Sequence, residues 1–89
     1  MHTMTFEELQ YTFETANPSD INLMPTELII AFGYHLTKRV PPKEWIPKEW
    51  ATACGIIDQY RRKESISDKQ KWYLVNALKN QVPHSIAYL

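Results

Sequence analysis

Lys69, Trp72, Asn76 and Lys79 recur at i, i+3, i+7 and i+10. On a helix these four would share one stripe, opposite Leu74 and Leu78. Lysines neutralise phosphates, an exposed aromatic ring stacks on an unpaired base, and an asparagine amide can read a base edge. Tyr73 lies four residues after Lys69, and upstream Arg61, Arg62 and Lys63 form a basic run. Arg61, Arg62, Lys63, Lys69, Trp72 and Lys79 are therefore the candidate nucleic-acid contacts. A plainer reading has the basic run complementing a helix dipole, with Trp72 packed under the tail and the lysines merely solvated. What separates the two is whether the positive side chains gather into one patch free of carboxylates.

Other chemistry finds little support. One cysteine and three scattered histidines (His2, His35, His84) show neither C-x-x-C nor H-x-x-x-H spacing, so no metal site is expected. His35, beside Phe32 and Leu36, reads as a partly buried structural residue. Cys54 falls mid-helix on an apolar face, where a thiol has a raised pKa and behaves as a small hydrophobe. His84 and Ser85 are neighbours without a positioned acid. Gly33 and Gly55 are too far apart for a phosphate-cradling loop. The expectation is a protein with no catalytic residues and no cofactor.

The elements that would position the stripe are all helical. Thr5 and Glu8 have capping-box spacing ahead of a helix from about Phe6 to Ala16, which Asn17-Pro18 should stop. PSDINLM then reads as a loop or short turn. Pro25 suits the first turn of a second helix running to Arg39, with Glu27 near its start and Lys38 and Arg39 at its negative end. Leu28, Ile29, Phe32 and Leu36 form one face of it, while Ile30 and Tyr34 point the other way. A helix apolar nearly all round is the expected centre of the fold, although Ile30 and Tyr34 could instead meet a partner.

Pro41, Pro42 and Pro47 interrupt the chain next. Helix three should span Pro47 to Lys63, and helix four, capped by Ser67 and Gln70, Asp68 to about Asn80. Pro83 then begins an apolar tail. The fold class is all-α: a single domain over residues 1–89, a compact bundle of about four helices with a proline-rich linker between helices two and three. Its parts are an acidic helical pair (1–40), a Pro/Trp linker (41–49), a basic pair (50–82) and the tail (83–89).

Composition fits an ordinary globular domain, with 44% apolar and 22% charged residues. No stretch approaches the ~20 apolar residues of a membrane helix. The N-terminal segment lacks a basic run followed by an apolar core, and a lone cysteine suits a reducing compartment, so a cytoplasmic location without membrane contact is expected. Formal net charge is zero, yet residues 1–37 hold five acids and no Lys or Arg, and residues 38–89 hold all ten Lys and Arg with five acids. Acidic helices pairing with basic ones inside the fold, or between copies in a homodimer, would explain this. So would a basic face for nucleic acid or a nucleic-acid-processing protein. Trp45, among prolines, is either a plug over the core or an exposed anchor, and with Ile86 and Tyr88 of the tail it marks a candidate protein-binding surface.

Residues 41–78, PPKEWIPKEWATACGIIDQYRRKESISDKQKWYLVNAL, resemble the small helical accessory proteins of T4-like bacteriophages that accompany a recombination and branch-remodelling helicase. The resemblance rests on the tryptophan-proline entry to helix three and the ISDKQ-WYL opening of helix four. It covers under half of the chain. It implies a helical accessory of nucleic-acid metabolism, with Trp50, Ser67, Gln70 and Trp72 as the matching positions. An adaptor or inhibitor of phage type, acting on a host or replication protein, is the alternative function.

Overall fold

The side chain of Thr5 accepts from the amide of Glu8 at 3.1 Å, and the Glu8 carboxylate accepts from the amide of Thr5 at 3.0 Å. This reciprocal box opens α1 (Phe6–Thr15) in a computed structural model that describes residues 4–85. After α1 come α2 (Pro18–Asn22), α3 (Thr26–Arg39), a 3₁₀ turn (Pro42–Glu44), α4 (Pro47–Lys63) and α5 (Asp68–Ser85). The class is all-α, with no strand among the described residues.

The short α2 replaces the expected loop. Asn17 caps it by accepting from the Asp20 amide at 2.9 Å, and Pro18 takes its first position. Asn-Pro thus stops one helix and starts another, because proline costs nothing where the amide has no helical partner. The box at the other corner forms as spaced: the Gln70 amide donates to Ser67 Oγ at 3.1 Å, and the Ser67 amide donates to Gln70 Oε1 at 2.8 Å. No glycine sits between α4 and α5. Glu64 itself takes the left-handed conformation (φ 57°) and donates its amide to Tyr60, which costs a non-glycine residue about 1–2 kcal/mol.

The central helix is α5, not α3. It packs against α1, α2, α3 and α4, burying Leu74, Val75, Ala77, Leu78 and Val82. The helix also runs through Pro83, the expected breaker. Pro83 is exposed near the helix end, where one lost hydrogen bond matters least, and the fully buried Val82 before it holds the backbone in place. Phe13 stacks on Phe32 with ring centroids 4.5 Å apart, and Phe6 closes the same cluster at 5.3 Å from Phe32. Gly33 of α3 lies at the crossing with α4 and α5, where its missing Cβ lets Ile57 and Leu78 approach.

Candidate nucleic-acid interface

Six side chains were expected to converge, and the fold separates them. Lys79 turns inward toward α1, where its Nζ donates to the carbonyl of Phe13 at 3.1 Å. Lys71 does the same at α2's exit, donating to the Met24 carbonyl at 2.9 Å. Neither α1 nor α2 has a basic residue in its last turn. The Phe13 carbonyl, left over at the C-terminus of α1 by the helix hydrogen-bonding pattern, and the Met24 carbonyl, in the connection after α2, therefore take their positive charge from α5. Lys79 is a structural residue and drops out of the candidate surface.

Arg62 pairs with Asp58 one turn back on α4 at 3.2 Å. Both side chains are about two-thirds exposed, so the pair adds little stability, but it does place a carboxylate beside the arginine. Arg61 faces α3, with its guanidinium carbon 4.5 Å from the Tyr34 ring centroid. Lys63 and Lys69 are exposed and have no ion pair among the described residues, though Glu64 and Asp68 are their chain neighbours. Helix dipole complementation does account for part of the basic run, since Arg61, Arg62 and Lys63 all lie in the last turn of α4.

What survives is an aromatic face on α5. Trp72 is 44% exposed and Tyr73 37%. Lys69, Asn80 and His84 are also exposed, and Asn76 is half-buried, its amide donating to the Trp72 carbonyl at 2.8 Å. After Asp68, α5 contains no acid. Periodicity did not single out Asn80 and His84, although both follow from extending the stripe at i+4 steps from Asn76. At its C-terminal end the face is bordered by carboxylates: Glu44 and Glu49 share one hollow with Asn80 and His84, and Glu14 shares another with Lys79 and Asn80.

Gln70 locks the corner beneath this face. Its amide and that of Gln59 exchange two hydrogen bonds, at 3.0 and 3.2 Å, joining α4 to α5. Of the positions the phage resemblance singles out, Ser67 and Gln70 thus build the corner, Trp50 packs against the core and Trp72 is presented to solvent.

Trp45 is not an exposed anchor. The 3₁₀ turn swings it inward until only 3% of its surface remains accessible, and it joins the core cluster. Ile30 is likewise buried, at 5%, while Tyr34 is half-buried. Ile86 and Tyr88 lie outside the described residues.

His35 packs against Phe6 in a tilted arrangement, with ring centroids 3.9 Å apart, and its Nε2 is buried without a hydrogen-bond partner. Burial first and the Arg39 charge second push its pKa below the ordinary value, as a structural histidine requires. Burial raises the Cys54 thiol, with Lys38 opposing. Among the described residues no group of three or more His, Cys, Asp or Glu side chains could hold a metal ion, and no helix is long and apolar enough to cross a membrane. No known protein family, curated protein or solved structure matches the chain.

Proposed function

We propose that this protein is a non-enzymatic helical module that contacts single-stranded nucleic acid through α5. The observation that carries the reading is the exposure of Trp72 and Tyr73 beside Lys69 on a helix with no acid after Asp68. Unpaired bases stack on such rings for about 1–3 kcal/mol each. Lys69, with Lys63 at the corner, supplies the phosphate contacts, and Asn76 and Asn80 offer amides to base edges. The resemblance of residues 41–78 to phage accessory proteins of a branch-remodelling helicase would imply the same role in nucleic-acid metabolism, and the lone cysteine suits a cytoplasmic setting.

The fold makes the reading quantitative. Single-stranded binding loses about 0.7 of a log unit per log unit of salt for each phosphate neutralised. With Lys63 and Lys69 alone, affinity falls about sevenfold between 50 and 200 mM salt. Were all five candidate cations engaged, the loss would exceed roughly a hundredfold. Titrating a single-stranded oligonucleotide while following tryptophan fluorescence measures this directly. Quenching that disappears in Trp72→Ala, with the shallow salt dependence, is the expected result. No quenching at 50 mM salt, or quenching unaltered by that substitution, removes the reading.

A second reading, an adaptor or inhibitor docking on a replication or host protein, draws on one observation. Leu23 is 82% exposed at the end of α2, and the Lys71 bond to the Met24 carbonyl ties that end to the first turns of α5. Leu23 and Trp72 thus share one end of the molecule, and an exposed tryptophan is the kind of side chain on which protein interfaces concentrate their binding energy. Capture of a replication protein that is lost in Leu23→Ser while oligonucleotide quenching persists would favour it. Light scattering on the same sample reads out a homodimer.

A further inference from the structure

Two cations from different helices close on one aromatic ring. Lys38 Nζ lies 5.3 Å from the centroid of the Tyr34 ring, and the Arg61 guanidinium lies 4.5 Å from it. Neither makes an ion pair among the described residues. Both line the same hollow between α3 and α4, of about 250 Å³, together with Thr37, Cys54, Ile57 and Asp58. The one carboxylate there, Asp58, is already held by Arg62 at 3.2 Å. The hollow therefore carries an excess of positive charge, with two cations drawn to one ring. Like charges gathered in one hollow repel, and an anion seated there would reverse that repulsion.

We infer that this hollow is a seat for a small tetrahedral oxyanion of the phosphate class, held by Lys38 and Arg61. The donor types fit. A guanidinium grips two oxygens of a phosphate in a planar fork, and a lysine supplies a mobile point charge. Tyr34 serves as the platform that pre-orients both cations, which lowers the entropy lost on binding. With two cations already drawn to it, the ring acts here as a partner for charge. The ligand is thus the phosphate group itself, either free or as the terminal phosphate of a nucleotide. Two further carboxylates, Glu27 and Glu64, border Arg61 on its far side in a neighbouring hollow. They set a ceiling on affinity without entering this seat.

The inference does not depend on the α5 face, and its failure would leave the oligonucleotide reading intact. The test is a titration of the isotope-labelled protein with inorganic phosphate at constant ionic strength, with chloride as the reference salt. Saturable amide and side-chain shifts confined to Thr37, Lys38, Cys54, Asp58 and Arg61 are expected, with a dissociation constant on the order of 1 mM, the range of a few charge-assisted contacts. A parallel arm with adenosine monophosphate separates the sources. Equal affinity identifies the phosphate group alone as the ligand, and tighter binding identifies a nucleotide's terminal phosphate.

Lys38→Gln and Arg61→Gln are surface changes expected to preserve the fold, and each should weaken binding at least tenfold, whereas Lys43→Gln should not. Cys54 gives an independent readout. Lys38 favours its thiolate, so phosphate that screens Lys38 slows alkylation by a neutral reagent, and the slowing vanishes in Lys38→Gln. Shifts that stay linear in phosphate, that spread over all lysines, or that survive both substitutions would show an adventitious ion only and overturn the inference.

Discussion

Replacing each glycine by alanine tests the packing at the crossing of α3, α4 and α5. Both residues lie within helices, at ordinary negative φ, so each substitution gains the same ~1 kcal/mol of helix propensity. The surroundings differ. A Cβ on Gly55 meets nothing within 4 Å, whereas one on Gly33 lies 3.0 Å from Ile57 Cδ1 and 3.2 Å from Leu78 Cδ1. Those methyl groups cannot swing aside, because Ile57 is 4% and Leu78 0% exposed. Inserting a methyl into such a core costs about 1–3 kcal/mol.

Gly55→Ala should therefore stabilise by about 1 kcal/mol, and Gly33→Ala should be neutral to destabilising by about 2 kcal/mol. Their difference isolates the overpacking, since propensity cancels. At about 4–8 °C per kcal/mol for a domain of this size, the two melting midpoints should differ by roughly 5–20 °C. Thermal unfolding followed by circular dichroism resolves that. Ile57→Val deletes the nearest methyl, so it should cost less in the Gly33→Ala background than its usual ~0.5–1.5 kcal/mol alone. If Gly33→Ala raises the midpoint as much as Gly55→Ala, the three helices do not meet at Gly33 and the placement of α5 is wrong.

Lys79→Met keeps the aliphatic stem but removes the charge that caps α1, and should destabilise by about 1–2 kcal/mol while leaving oligonucleotide quenching and its salt slope unchanged; a stable variant with weakened binding would return Lys79 to the interface. His35, with its pKa held below 6.5 in the folded chain, takes up a proton more readily when unfolded. Stability therefore falls as pH drops below about 6.5, and His35→Leu should flatten that part of a melting-midpoint profile; an equally steep profile in the variant would place the titration elsewhere.

Local chemistry was legible in the sequence wherever the signal was carried by neighbouring residues. Thr5 with Glu8 and Ser67 with Gln70 name both capping boxes, and Pro47 with the Arg61-Arg62-Lys63 run brackets α4 at both ends. Tertiary context decided the rest. The centrality of α5 is disguised because Gln70, Lys71, Lys79 and Gln81 occupy packed positions, sending polar heads to a neighbouring amide or to backbone carbonyls while their stems cover apolar surface. By composition α3 looks more buried. Pro83 reads as a breaker from its own properties, yet the burial of Val82 carries the helix past it.

The candidate surface failed to gather because of what packs beside each end of α5. Ten residues at 100° apiece leave Lys79 about 80° away from Lys69 around the helix, but only about 20° from the exposed Trp72. What turns Lys79 inward is therefore its neighbour α1, whose Phe13 carbonyl accepts from its Nζ. The same arithmetic carries Lys71 to the packed side. No ion pair among the described residues joins the two halves, since Arg62 and Asp58 both belong to the basic one; what links them is two lysines of that half seated on backbone carbonyls of the acidic one. Once those are placed, the outward face of α5 holds Lys69, the Trp72 and Tyr73 rings, two asparagines and His84. On the proposed reading such a face would bind through stacking and desolvation, so its partner would offer unpaired bases or an apolar anchor, and a duplex recognised by charge alone would find too little there to hold it.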